Sequence, residues 1–197
     1  DDTFAARPEG FFDGRNTFSL SMDVKAEDVS GNYFTFAIGQ DSNRYYFLKP
    51  TADSVKSVIT SSSWGGEKGF TEKLNTQVKD QWLHLTLIMD GTDMKLYLDD
   101  QLIGHNENVV NEMSNLGKNL KAYLGKSFYG EDKCFKGAFD NIKVYNRVLT
   151  NAELAGGVLG DKTELRELLE TYKDLDASKY TEESYQAFLE AYNAGQK

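Results

Sequence analysis

Hydrophobic and polar residues alternate along most of the first three quarters of the chain. In the segment 17–25, Phe18, Leu20, Met22 and Val24 occupy every second position, with polar residues between them. A period of two residues is typical of a β-strand that buries one face. The same pattern predicts further strands at 33–38, 44–49, 55–60, 82–89, 94–99, 121–126 and 135–147. Many short strands separated by Gly, Asp, Ser and Asn turns favour an antiparallel β-sandwich or barrel.

The pattern changes after about residue 150. Gly156, Gly157 and Gly160 indicate a hinge, and apolar residues then recur at helical spacing over 161–175 and 182–193. Thr181 is placed as the N-cap of the second helix. We therefore predict an all-β sandwich domain over residues 1–157. A C-terminal α-helical hairpin is predicted over residues 158–197.

Charge limits the classes of partner. The formal net charge is −9, and no Lys/Arg-rich run occurs, so an acidic surface would repel nucleic acid and anionic membranes. No stretch of 18 apolar residues is present, which argues against membrane insertion. Neutral sugars carry no charge to repel. We treat the chain as a fragment, so the absence of a signal peptide says little about its location.

Four segments in order resemble a known family. They are TFSLSMDVK at 17–25, WLHLTLIMDGTDMKLYLDDQLIG at 82–104, YLG at 123–125 and FKGAFDNIKVYNRVLTNAEL at 135–154. They resemble the laminin-G/concanavalin A-like lectin modules of bacterial secreted glycoside hydrolases. That resemblance implies a jelly roll, and it covers roughly residues 15–155. Asp100 stands where the family's "LYLDG" turn usually has Gly.

The tail is similar to a second family. LDASKYTEESY at 175–185 resembles part of the FIVAR repeat of bacterial cell-wall proteins. That repeat is usually a three-helix unit, and only two helices fit before Lys197, so we expect a truncated repeat. Together the two resemblances imply a secreted or cell-surface bacterial protein with several modules in one polypeptide. We expect it to be a monomer.

Trp64 is the most informative aromatic residue. It lies in the polar, Gly-rich segment 61–70, where little is available to bury it, and an indole face can stack on a pyranose ring. Tyr45 and Tyr46 are adjacent in a strand and point to opposite faces, so at least one is a candidate for exposure. Asn43 and Arg44 are candidates for hydrogen bonds to sugar hydroxyls. The alternative is that Trp64 anchors its loop against the sandwich. Trp82, which opens an apolar strand, is assigned to structure.

Asp140 is the most informative carboxylate. If Ile142 and Val144 point into the core, alternation directs Asp140 inwards too, and an unpaired buried carboxylate is costly. It must then accept hydrogen bonds, lie at a bulge or bind a cation. The family resemblance implies a structural Ca²⁺ near the closing strand, for which Asp13 and Asn16 are possible further ligands.

These residues support a non-catalytic carbohydrate-binding or accessory module that binds a neutral glycan. Two alternatives remain. One is a structural spacer or cell-surface adhesion domain without a sugar site. The other is an intrinsic glycosidase, which needs two carboxylates at a fixed separation, and no local pattern singles out such a pair.

Overall fold

The first unit is a β-sandwich. A computed structural model describes residues 4–155 and 169–195, and the chain divides into two compact units, residues 1–155 and 156–197. Two antiparallel sheets form the first unit, which confirms the predicted fold class. The predicted boundary at 157/158 and the hinge glycines lie outside the described residues.

The strands follow the predicted segments closely. They are β1 (Ala5–Arg7), β2 (Thr17–Ala26), β3 (Phe36–Asp41), β4 (Arg44–Pro50), β5 (Ser54–Thr60), β6 (Lys68–Lys73), β7 (Trp82–Asp90), β8 (Asp93–Leu98), β9 (Gln101–Asn106), β10 (Lys121–Leu124) and β11 (Gly137–Tyr145). One sheet has six strands in the order β1-β10-β3-β4-β5-β6. The other has five in the order β11-β2-β7-β8-β9.

The main core lies between the two sheets. Alternate residues of β2 face it, and Phe18, Leu20, Met22 and Val24 are each at most 1% exposed. Tyr46 is among the β4 residues that face the core from the six-stranded sheet. The alternation therefore identifies the apolar face of β2 that packs into the core of the sandwich, although Ser19 and Ser21 on the other face are buried as well.

Two local differences from the sequence prediction have physical causes. Strand β3 runs to Asp41 rather than ending at residue 38, because the Asp41 carboxylate accepts the backbone N–H groups of Asn43 and Arg44 and closes the turn there. The segment 61–70 is not all loop, since β6 begins at Lys68 and pairs with β5. A Cβ on Gly69 would lie 2.1 Å from the Ser57 carbonyl oxygen, so this close approach requires glycine. The short edge strand β1 was not predicted.

The second unit is helical where it is described. Residues 169–172 are helical, Ala177–Lys179 forms a 3₁₀ turn, and a helix runs over Glu182–Gly195. The Thr181 hydroxyl accepts the backbone N–H of Ser184 at 3.3 Å, as predicted for an N-cap. Most of the predicted helix 161–175 lies outside the described residues, and the FIVAR resemblance stays a prediction. Within 4–155 and 169–195, no helix is long and apolar enough to cross a membrane.

Candidate functional site

An aromatic cluster, here called the outer aromatic cluster, lies on the outer face of the six-stranded sheet. Tyr45 and Phe47 of β4 point away from the main core, because Tyr46 and Leu48 between and beside them point into it. The rings of Phe34 and Phe47 stack with their centroids 3.9 Å apart. This cluster forms the floor of a groove of about 380 Å³, here called the outer groove. Its lining residues are Asn32, Tyr33, Phe34, Tyr45, Phe47, Lys49, Lys56, Trp64, Glu67, Tyr129 and Asp132.

Trp64 is an exposed aromatic surface on this groove. It begins the 3₁₀ turn Trp64–Gly66, and its side chain is 74% exposed. The backbone beneath it is fixed, since Ser63 N–H donates to the Asn43 carbonyl at 2.8 Å and the Thr60 hydroxyl donates to the Ser63 carbonyl at 2.7 Å. The loop is therefore tied to the β3–β4 turn, and the indole does not serve to bury apolar surface.

The charged groups of the outer groove are already partnered. Lys56 Nζ donates to Glu67 Oε2 at 2.6 Å, and the Tyr45 hydroxyl donates to Glu67 Oε1 at 2.7 Å. Lys49 Nζ donates to the Gly31 carbonyl at 2.8 Å. Asp132 accepts from the Ser127 hydroxyl at 2.6 Å. The groove thus combines an aromatic floor with polar groups whose charges are locally balanced.

Burial governs the protonation of two of these groups. It raises the pKa of the Tyr45 phenol, and the hydrogen bonds to Tyr129 and Glu67 act in the same direction. Burial also lowers the pKa of the Lys49 amine, which the nearby Asp132 carboxylate opposes only in part. Tyr45 is therefore a neutral hydroxyl at physiological pH and serves as a hydrogen-bonding group, not as an anion.

The structure separates the residues predicted for sugar binding. Trp64 and Tyr45 both line the outer groove, Tyr45 as part of its covered floor. The candidacy of Tyr46 was wrong, because its side chain lies in the main core and its hydroxyl is 3.0 Å from Ser57 Oγ. Asn43 lies in the β3–β4 turn and Arg44 begins β4. Neither residue lines the groove, and Arg44 pairs with Asp41 at 3.0 Å.

Several groove residues were not found from the sequence. Lys56 lies between two buried residues of β5. This alternation could have indicated that its side chain points away from the main core. Tyr129 and Asp132 come from the segment that follows β10, and no local pattern brings that segment across β4. The Tyr129 hydroxyl donates to the Ser42 carbonyl at 3.0 Å, a contact between residues 87 positions apart.

The inward orientation expected for Asp140 was wrong. The pairing of β11 with β2 slips between Asp140 and Lys143, and Asn141 at the slip has a φ of +51°. This β-bulge breaks the alternation, so Asp140 is exposed and accepts the backbone N–H of Asn141 at 2.7 Å. A bulge is one of the alternatives that the sequence leaves open at Asp140.

The three predicted metal ligands do not form one site. Asp13 accepts the backbone N–H groups of Asn119 and Leu120, and Asn16 bonds Glu112 and Ser114. Asp13 and Asn16 both lie before β2. Asp140 instead pairs with Asp23, which is six residues along β2 and therefore roughly 20 Å from the start of that strand. Among the described residues, no group of three or more His, Cys, Asp or Glu could hold a metal ion. The structural Ca²⁺ that the family resemblance implies stays a prediction, but these three residues do not form its ligand set.

A polar network lies on the outer face of the five-stranded sheet. His84 Nδ1 is 2.5 Å from Asp23 Oδ1, His84 Nε2 is 3.2 Å from Ser21 Oγ, and Asn141 donates to Asp23 at 2.6 Å. The contacts run from Ser21 to His84 to Asp23, as they do from Ser to His to Asp in a hydrolytic triad. Ser21, however, is only 6% exposed. Trp82, expected to be structural, is 53% exposed on the same strand as His84.

Comparison with known proteins assigns the fold. The family model described as the concanavalin A-like lectin/glucanases superfamily matches residues 1–155. The chain belongs to this superfamily. It is also 33% identical over 149 residues to an alpha-L-arabinofuranosidase of Bifidobacterium longum subsp. longum. That match covers 68% of this chain but only 14% of the arabinofuranosidase, so this superfamily member corresponds to a small part of that enzyme.

Two solved structures share the architecture. Domain 4 of AbnA, a GH43 extracellular arabinanase from Geobacillus stearothermophilus in complex with arabinotriose, matches with a TM-score of 0.62 at 23% identity, over 77% of this chain and 70% of that one. The CBM40 of a Ruminococcus gnavus IT-sialidase bound to α2,3-sialyllactose matches with a TM-score of 0.62 at 16% identity, over 72% and 82% of the two chains. At these identities, the likeness concerns the fold.

Proposed function

We propose that this chain is a non-catalytic carbohydrate-binding module of a secreted, multi-modular bacterial carbohydrate-active enzyme, and that it acts as a monomer. The observation that carries the proposal is Trp64, an indole that is 74% exposed on a groove with an aromatic floor. Such a surface matches the C–H face of a sugar ring, and a groove of about 380 Å³ is within the size range of small-ligand sites.

The partnered charges of the outer groove favour a neutral glycan. A carboxylated sugar needs a positive charge that is not already balanced, yet Lys56 pairs with Glu67, and the Asp132 carboxylate lies near Lys49. The arabinofuranosidase relative and the arabinotriose bound to the arabinanase domain make arabino-oligosaccharides the first ligands to test. Sialyllactose, the ligand of the CBM40 neighbour, is the acidic comparison.

The two carboxylates on the groove argue against catalysis. Glu67 accepts hydrogen bonds from Lys56 and Tyr45, and Asp132 accepts one from Ser127. A glycosidase needs one carboxylic acid that protonates a leaving group and a second that attacks or activates water. Both groove carboxylates instead take part in hydrogen bonds that hold the groove together, a role expected of structural carboxylates. Binding alone would serve a tethered catalytic module by raising the local concentration of its substrate.

The test is binding of arabinotriose and soluble arabinan, measured by calorimetry and by retardation in an arabinan gel. We expect weak, saturable binding that Trp64→Ala abolishes, with little change in Tm because the side chain is exposed. Trp82→Ala is the matched control, since it removes a second exposed indole on the other sheet, and it should bind as the unmodified chain does.

Two results would count against the proposal. Normal retention by Trp64→Ala would move the site away from the outer groove. A complete lack of binding across a panel of neutral and acidic glycans would favour the spacer or adhesion alternative. Release of arabinose by the purified chain, lost in Glu67→Gln or Asp132→Asn, would instead establish an intrinsic glycosidase.

A further inference from the structure

The sandwich is incompletely filled at one edge. Ala5 and Arg7 of β1 pair with Leu124 and Ala122 of β10. Directly paired residues have side chains on the same sheet face, and Ala122 belongs to the main core. Ala5 and Arg7 therefore take core-facing positions, yet both are exposed. The space between the two sheets is thus open along this edge.

The opposite wall of the opening is the edge strand of the other sheet. There the bulge of β11 leaves Ile142 39% exposed, while Val144 packs against the core. Between the two edges lies a cleft of about 310 Å³, here called the edge cleft. Its interior is apolar and includes Phe12, Leu20, Phe36, Leu124, Ile142 and Val144.

Arg7 is the charged side chain that lines the edge cleft. Its guanidinium lies 4.7 Å from the centroid of the Phe11 ring, and within the described part of the chain it has no carboxylate partner. A guanidinium binds a carboxylate in a two-point fork, and one positive charge balances one monoanion.

We infer that the edge cleft binds a small amphipathic monocarboxylate, with the apolar tail between the two sheets and the carboxylate on Arg7. A volume of about 310 Å³ is at the low end of ligand cavities, which suits a medium-length acyl chain. Burial of the tail supplies the driving force, and the Arg7 pair selects the acid over a neutral alcohol of equal length. This site is separate from the outer groove and does not depend on sugar binding.

Calorimetry with octanoate and 1-octanol on the whole chain tests the inference. We expect saturable octanoate binding and weaker 1-octanol binding. Arg7→Gln should weaken octanoate binding roughly tenfold, as the loss of a charge-assisted hydrogen bond implies, and leave 1-octanol unchanged. Lys68→Gln is the matched control, because it removes an exposed cation from β6, the opposite edge strand of the same sheet, and should change neither affinity.

A second variant locates the tail. Ile142→Trp places an indole at the mouth of the cleft and should abolish binding of both ligands, with folding checked by Tm. Octanoate binding that is absent, or that Arg7→Gln leaves intact, would overturn the inference. Binding that emerges only after deletion of residues 1–3 would also overturn it, because it would assign the cleft to the chain's own N-terminus.

Discussion

At the level of single residues, alternation identifies opposite faces but not which face meets solvent. Tyr45 and Tyr46 point in opposite directions, as the sequence predicts, yet both are fully covered. The reason is that both faces of β4 are packed, one by the main core and the other by the outer aromatic cluster. Trp64 lies outside any strand, so no sheet face covers it. Its exposure could therefore be predicted from its Gly- and Ser-rich surroundings.

The prediction at the residue scale concerns Tyr46. Tyr46→Ala should lower the free energy of unfolding by about 3–5 kcal/mol, since it leaves a cavity in the main core. Tyr46→Phe removes only the hydroxyl contact with Ser57 and should cost about 1 kcal/mol. Urea denaturation measures both. If Tyr46→Ala were as stable as the unmodified chain but no longer retained by arabinan, Tyr46 would be a ligand contact and its burial would be refuted.

At the level of elements, the closing strand shows where periodicity fails. The segment 135–147 reads as one alternating strand, and β11 does occupy Gly137–Tyr145. The bulge, however, inserts one extra residue and so reverses the alternation. As a result, Asp140 does not lie on the same face of the sheet as Val144, although the two are an even number of residues apart. The sequence gives one weak indication of the bulge, because Asn adopts the left-handed backbone conformation of Asn141 more easily than most residues do. Nothing local distinguishes Asn141 from an ordinary exposed Asn.

The bulge also places Asn141 against Asp23, which gives an element-scale prediction. Burial alone would raise the pKa of the Asp23 carboxyl, but hydrogen bonds from Asn141 and His84 outweigh burial and hold the pKa below its usual 3.8. A carboxyl with a lowered folded-state pKa stabilises the protein above its unfolded-state pKa. That contribution is lost as the pH falls through the folded-state value. Stability should therefore decline below about pH 4 in part because Asp23 becomes protonated.

Asp23→Asn tests this linkage. The variant should be less stable than the unmodified chain at about pH 5. The gap should narrow as the pH falls below 3.8, because the unfolded chain then takes up a proton at Asp23 more readily than the folded chain does. Glu107→Gln is the control, since it removes an exposed carboxylate from the segment after β9, away from β2 and β11, and should leave the pH dependence unchanged. If the difference in the free energy of unfolding between the two proteins stayed constant with pH, the charge of Asp23 would not contribute to stability. Urea titrations at each pH provide the measurement.

At the level of the whole molecule, the sequence predicted the architecture but not how distant segments meet. Each strand is a local pattern, so the two-sheet sandwich could be predicted from alternation and turns. The outer groove combines residues of β4 and β5 with the Trp64 loop and the segment around Tyr129, which are far apart in the chain. The edge cleft depends on β1, a strand of three residues that carries no recognisable pattern. Both sites arise from long-range pairing, which a single sequence does not reveal.

The last prediction concerns the independence of the first unit. A fragment of residues 1–155 should unfold cooperatively, with a Tm within a few degrees of the full chain, because this unit contains both sheets and the main core. The end point matters. Leu149 and Leu154 follow β11 and pack with Ile88 on the outer face of the five-stranded sheet. Thr150 caps the short helix Asn151–Leu154, and Arg147 pairs with Glu153 at 2.5 Å.

A fragment of residues 1–146 retains every strand but loses this small cluster. Burial of two leucine side chains contributes about 3–6 kcal/mol, and each kcal/mol corresponds to about 2–4 °C in a domain of this size. The shorter fragment should therefore melt at least roughly 6 °C below the longer one in calorimetry. Equal melting temperatures would show that residues 147–155 are dispensable. If the 1–155 fragment instead lost its cooperative transition while the full chain kept it, the sandwich would require residues 156–197 to fold, and the division into two independent units would be wrong.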